Sequence, residues 1–245
     1  MSTNSEWQEL LRKLLAAPTV SPRGLKTKEL IGWQTTIDMK SPYITVAERN
    51  IGNKFRYAEA AWILSGDNRV ATIKPYSKII ETFSDDGIRF FGAYGPKVVD
   101  QLSYVIQNLH SDSNSRQAVI NIWREKPSQS KDIPCTCSLQ FLIREDILYC
   151  IATMRSSDAW LGWVYDIFNF SCISNYIKIQ LKHQFKKTIE LGTLTLNAGS
   201  QHLYKQHWSR AQDCLGSKSK GSTKLNSGYK TGQDFVNHLW EQANG

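Results

Sequence analysis

Two apolar segments separated by one short polar break constrain this chain more than any other part of it. CSLQFLIRE (137–145) and ILYCIATMR (147–155) are rich in aliphatic and aromatic residues, and Glu145-Asp146 interrupts them. Short apolar runs bounded by a turn signal read as strands, so the spacing predicts an antiparallel pair turning at Glu145-Asp146. Their nearly continuous apolar character requires a sheet covered on at least one face, by helices or by another subunit.

Other segments fall around that pair. Helical spacing predicts an amphipathic helix in MSTNSEWQELLRKLLAAP, a second over Phe55–Leu64, a third over Asp100–His110 and a buried one over Ala159–Ile179. GWQTTIDM (32–39) and QAVINIWR (117–124) alternate like strands. TLTLNAGSQHLYKQHW (193–208) reads as strand, turn and helix start, with His202 and Tyr204 near the turn. A Pro/Gly/Thr/Lys connection over 17–28 contains Arg23, and SDDGIRFFGAYGPK (84–97) reads as a glycine-rich loop. Strands and helices mix without regular βαβ alternation, which predicts an α+β fold, and 245 residues suit one domain over 1–245.

Charge and cysteine usage narrow the function classes. The formal charge of +8 favours anionic partners, but much of it lies in SKSKGSTKLNSGYKTG (217–232), which reads as an exposed basic loop. No zinc finger, RNP-type aromatic motif or basic helix accompanies it, so nucleic-acid binding is not expected. Five scattered cysteines in a chain of this size argue against a disulfide framework, and Cys135-x-Cys137 lacks the partners of a metal set. No apolar run approaches the roughly 20 residues of a membrane span. The N-terminus carries acids unlike a signal peptide, so a cytoplasmic protein is expected.

One stretch, Asp132 to Asp166, has a catalytic layout: Cys135 after a proline, Arg155 to act on its charge, and Asp166 closing an aromatic segment. Read from residue type alone, Cys135 is either a nucleophile or an inert buried thiol. Glu59, inside an apolar helical segment, either faces solvent or is put to work. Arg116, between a helix and a strand, either meets an anion or forms a surface ion pair.

DIPCTCSLQF, RSSDAWLGWVYD and LNAGSQHLY, with AEAAWILSGDN, GAYG and DSNSRQ upstream, together resemble the thymidylate synthase superfamily from about Arg23 to Tyr204. The resemblance implies a large mixed sheet packed against a dimer mate with helices around it. It implies Cys135 as the nucleophile that adds to C6 of a pyrimidine, with Arg155 favouring the thiolate, and Glu59 as the active-site glutamate. Arg23, Arg155 and Ser156 match phosphate-binding positions, Arg116 matches one donated across the homodimer, and Gln140, His202 and Tyr204 match substrate contacts. Ile79, Ile80, Tyr94, Asp158 and Gly162 match positions around the folate cosubstrate, 5,10-methylenetetrahydrofolate; no metal is implied.

Departures from the family pattern carry information of their own. Asp166 stands where the synthase has asparagine, and Thr136 where it has histidine; both resemble the deoxycytidylate-modifying branch known from bacteriophages. An aspartate can accept from the cytosine amino group and share a proton with N3. The resemblance therefore implies dCMP as substrate, with Ser156 matching enzymes that take deoxynucleotides. Gln117 replaces a second arginine, Ile80 replaces a tryptophan, and NHLWEQANG is unlike the usual closing tail. These changes favour water over hydride at the last step, giving 5-hydroxymethyl-dCMP; 5-methyl-dCMP is the alternative, and a non-catalytic nucleotide or RNA binder the more distant one.

Overall fold

A computed structural model of the protein describes residues 2–125, 129–221 and 223–245. Six strands form one mixed sheet: β1 (Thr19–Val20), β2 (Thr27–Asp38), β3 (Val119–Asn121), β4 (Thr136–Arg144), β5 (Ile147–Asp158) and β6 (Glu190–Tyr204). Their spatial order is β1-β2-β6-β5-β4-β3, with β5 and β6 parallel and the other neighbours antiparallel. The helices are α1 (Thr3–Ala16), α2 (Asn53–Leu64), α3 (Val70–Ile73), α4 (Gly95–Ser111), α5 (Trp163–Phe185), α6 (Trp208–Cys214) and α7 (Gly232–Asn244). This is the α+β arrangement expected. Among the described residues no helix is long and apolar enough to cross a membrane.

The hairpin of β4 and β5 forms where the sequence placed it. Glu145 and Asp146 both take left-handed backbone, with φ of 51° and 56°, which is what a tight two-residue hairpin turn demands. Along the pair, Leu139, Phe141 and Ile143 of β4 and Leu148, Cys150, Ala152 and Met154 of β5 are buried. Thr153 and Arg155 alternate onto the opposite face and are exposed, and Ile31 of β2 is 76% exposed. One face of the sheet is thus packed under α1, α4 and α5, while the other is open in the single chain. Because β5 and β6 are parallel, a crossover must join them, and α5 is that crossover.

Four sequence expectations need correction. β2 starts at Thr27, inside the expected connection, because Thr27 to Leu30 pair in register with Tyr204 to Gln201. No turn interrupts β6: its 15 residues run straight through Asn197-Ala-Gly-Ser, and His202 and Tyr204 lie on the strand itself. Gly199 serves close approach and not a turn, since a Cβ there would sit 2.9 Å from the Arg155 carbonyl oxygen. Helix α4 begins at Gly95 and not Asp100, with Pro96 in its first turn, where a missing N–H costs nothing.

The basic segment 217–232 has exposed lysines but a tethered backbone. Lys220 N donates to Thr45 O (3.1 Å), Leu225 N to Lys40 O (2.8 Å), and Asn175 Nδ2 to Asn226 O (2.9 Å). Ser222, within this segment, lies outside the described residues. The segment leads into α7 through a capping box of Thr231 and Asp234. Helix α7 packs against α2, and Trp240 Nε1 donates to Ser65 Oγ at 3.3 Å.

Candidate active site

Cys135 precedes β4 by one residue, and Arg155 and Ser156 approach it from the neighbouring strand β5. Arg155 Nη2 lies 3.7 Å and Ser156 Oγ 3.6 Å from Cys135 Sγ. The guanidinium is also spent on backbone: Nε donates to Pro134 O and Nη2 to Ile133 O, both at 2.9 Å. Arg155 therefore fixes the loop that presents the cysteine as well as standing beside its sulfur. The effect on acidity differs from expectation. Burial pushes the Cys135 thiol up from its usual value, and the Ser156 hydrogen bond and Arg155 charge only partly oppose this. Asp166 and Asp132, both carboxyls nearby, push it the same way as burial.

Asp166 occupies the first turn of α5 and Glu59 the middle of α2, and both line a cavity of about 180 Å3 with Tyr94, Asp132 and Asn169. Burial pushes the Asp166 carboxyl well above the carboxylate range, and Glu59 and Asp158 reinforce it. Glu59 is raised by burial to about 7, against a hydrogen bond from Asn169 Nδ2 at 2.8 Å. The Asn169 Oδ1 is buried with no partner among the described residues, so the cavity wall keeps one free acceptor. Tyr94 stands on this side, where burial and Asp166 push its hydroxyl up.

A second cavity of about 540 Å3 shares Glu59, Asp166, Ile80 and Phe83 with the first. Ile79, Leu161, Gly162 and Tyr165 line it, and Arg49 and Arg210 both lie against Trp160, their guanidinium carbons 4.8 and 5.0 Å from its ring centre. Gly162 packs closely: a Cβ would meet Asp166 Oδ2 at 3.3 Å and Asp158 O at 3.4 Å, so a side chain there would press on Asp166. Asp158 Oδ1 accepts from Trp160 N at 2.7 Å and Leu161 N at 3.1 Å, while its Oδ2 is buried without a partner among the described residues.

Other sequence-selected residues lie apart from this centre. Arg23, on left-handed backbone at φ 52°, shares a third cavity with Tyr204, Leu161 and Phe83. His202 is opposite Asp158 in the β5–β6 pairing and packs edge-on to Tyr204 at 5.1 Å. Arg116 is exposed in the loop between α4 and β3, and its carbonyl accepts from Gln140 Nε2 at 2.9 Å. Neither Arg116 nor Gln140 lines a cavity with Asp166. Residues the sequence reading missed include Asn169, Asp132, Arg49 and Arg210. Asp132 opens the DIPCTCSLQF motif and could have been found there, whereas the signal for Asn169, Arg49 and Arg210 is tertiary.

Compared with known protein families, the chain matches the one described as thymidylate synthase over residues 5–241. The chain belongs to the thymidylate synthase family. Members of the thymidylate synthase family are homodimers that bind a nucleotide and a folate and carry a one-carbon unit to C5, so this chain is a one-carbon transferase of that type. Methylenetetrahydrofolate, which the thymidylate synthase family uses, fits the residues present. The second cavity offers aromatic and aliphatic walls for a flat ring and two guanidiniums, of Arg49 and Arg210, for its carboxylates.

Proposed function

We propose that the protein hydroxymethylates dCMP at C5, and the observation that carries the reading is the Asp166 carboxyl buried in the cavity beside Glu59, where burial raises its proton affinity. A protonated carboxyl presents one O–H donor and one carbonyl acceptor, the complement of cytosine N3 and its amino group. Cytosine N3 accepts a hydrogen bond from that O–H, and sharing the proton draws electrons from C6, where the Cys135 sulfur adds.

The further roles rest on the family resemblance. Arg155 and Ser156, beside the sulfur, suit the nucleotide phosphate, with Arg23 of the same chain and Arg116 of a second copy completing the anion site; His202 and Tyr204 suit the sugar hydroxyl. An Arg116 guanidinium brought up by a second copy would add positive charge near Cys135, countering the burial that holds its proton on. Methylenetetrahydrofolate supplies the one-carbon unit at the oxidation level of formaldehyde. Glu59, with a proton affinity near neutrality, can remove the C5 proton and later orient water toward the methylene left on C5. Water is favoured over hydride because Ile80 and Phe83, not an indole, stand where the two cavities join, and the free Asn169 Oδ1 can help hold a water there.

The test is to incubate the protein with methylenetetrahydrofolate and dCMP, CMP or dUMP and to weigh the products. The expected result is gain of a CH2O unit on dCMP, and Asp166→Asn should move the preference toward dUMP by about a hundredfold or more. Gain of a methyl group with dihydrofolate formed would reject hydroxymethylation; wild-type turnover of dUMP in place of dCMP would reject the role of Asp166.

A further inference from the structure

Arg56 is an anomaly outside the site described above. It is only 6% exposed, enclosed by Tyr43, Tyr57 and Phe168, whose ring centres lie 4.6, 5.3 and 5.1 Å from its guanidinium carbon. Its Nε is buried without an acceptor, and it joins no ion pair among the described residues. Arg49, the other deeply buried arginine, at least donates to Trp160 O at 2.6 Å. Aromatic rings stabilise the faces of a guanidinium but leave its edge N–H donors unmet, and a buried cation with unmet donors is costly.

A pocket lies beside Arg56. Arg56 lines a polar cavity of about 530 Å3 together with Lys220, Thr45, Asn50, Asn53 and Thr223, and no carboxylate lines it. Lys220 is pinned there, its N–H donating to Thr45 O at 3.1 Å and its carbonyl accepting from the Thr45 hydroxyl. The first turn of α2 adds to the imbalance: it carries Lys54 and Arg56, no acid and no side-chain cap. Cations at a helix N-terminus oppose its dipole, and free N–H groups there favour an anion.

We infer that this pocket is a binding site for a small anion, a phosphate monoester or a carboxylate, held by Arg56 and Lys220. Cys135, Arg155 and Asp166 do not line it, so it is distinct from the catalytic centre and stands whatever base that centre accepts. An anion there would accept from the terminal guanidinium nitrogens of Arg56, which make no hydrogen bond among the described residues, and neutralise the charge at the start of α2.

Calorimetric titration of the full chain with inorganic phosphate, and separately with succinate, tests it. Arg155→Gln provides a background in which phosphate binding at the nucleotide site is weakened. In that background Arg56→Met should weaken the remaining site about tenfold or more, and Lys220→Ala about threefold. Phosphate or succinate should raise the melting temperature of Arg155→Gln and not that of the Arg155→Gln/Arg56→Met double variant. Binding of phosphate alone marks a phosphate-bearing ligand, and binding of succinate alone a carboxylate; both outcomes support the site. Arg56→Met preserves the length and apolar contacts of the caged side chain, and the exposed Lys220→Ala keeps the test valid if that variant misfolds. Unchanged binding of both anions in both variants, or no anion binding outside the nucleotide site, would overturn the inference.

Discussion

Glu59 and Asp166 show how environment sets the work of a side chain. Both are carboxyls on helices, both face the same cavity, and both hold their protons more tightly than free acids do. For Glu59 the consequence for stability can be worked out. Its native value of about 7 exceeds the ordinary 4.5, so between those pH values the folded chain binds the extra proton. This group therefore makes stability fall as pH rises from about 4.5 to about 7, with no further change above that range. Glu59→Gln should remove that slope and stabilise the protein at pH 8 by roughly 3 kcal/mol at most, checked by urea unfolding across pH. Activity should fall in the same variant, because the group that moves the C5 proton is gone. The sequence flagged Glu59, since a carboxylate in AEAAWIL is costly unless used. It gave no sign of Asn169, 110 positions away, which bonds to it.

At the level of elements, β6 carries the clearest lesson. Asn197-Ala-Gly-Ser looks like a turn because glycine and asparagine favour turns locally, but pairing on both sides overrides that preference and keeps the strand straight. Gly199 is instead the place where β6 passes close to Arg155 O. Gly199→Ala should therefore cost about 1–3 kcal/mol of stability and shift Arg155, reducing nucleotide affinity and turnover together. Thermal unfolding and nucleotide titration of the variant check both. By contrast the β4–β5 hairpin was fully legible, because its apolar runs and its polar turn agree and no distant element is needed to choose between them.

Across the whole molecule, the open face of the sheet and the isolation of Arg116 have a common explanation. In a homodimer packed sheet to sheet, Ile31 would be covered, and Arg116 would serve the partner's nucleotide site. Cys135→Ala and Arg116→Ala should each be inactive alone, yet mixing and refolding them together should restore up to about a quarter of wild-type activity, since a mixed dimer has one intact site. Absence of rescue, with mixed dimers demonstrated by mass, would place Arg116 in its own chain's site. The sequence by itself determined the α+β class, the hairpin that presents Cys135 and Arg155, and the residue types of the chemistry, because these depend on local spacing and on motifs in fixed order. Only the tertiary structure decided that burial outweighs Arg155 at the thiol, that burial raises the Asp166 carboxyl, and that Asn169 and Arg56 hold unmet polar atoms. Proton affinity and hydrogen-bond satisfaction depend on which distant side chains exclude water from a group, and packing alone fixes that.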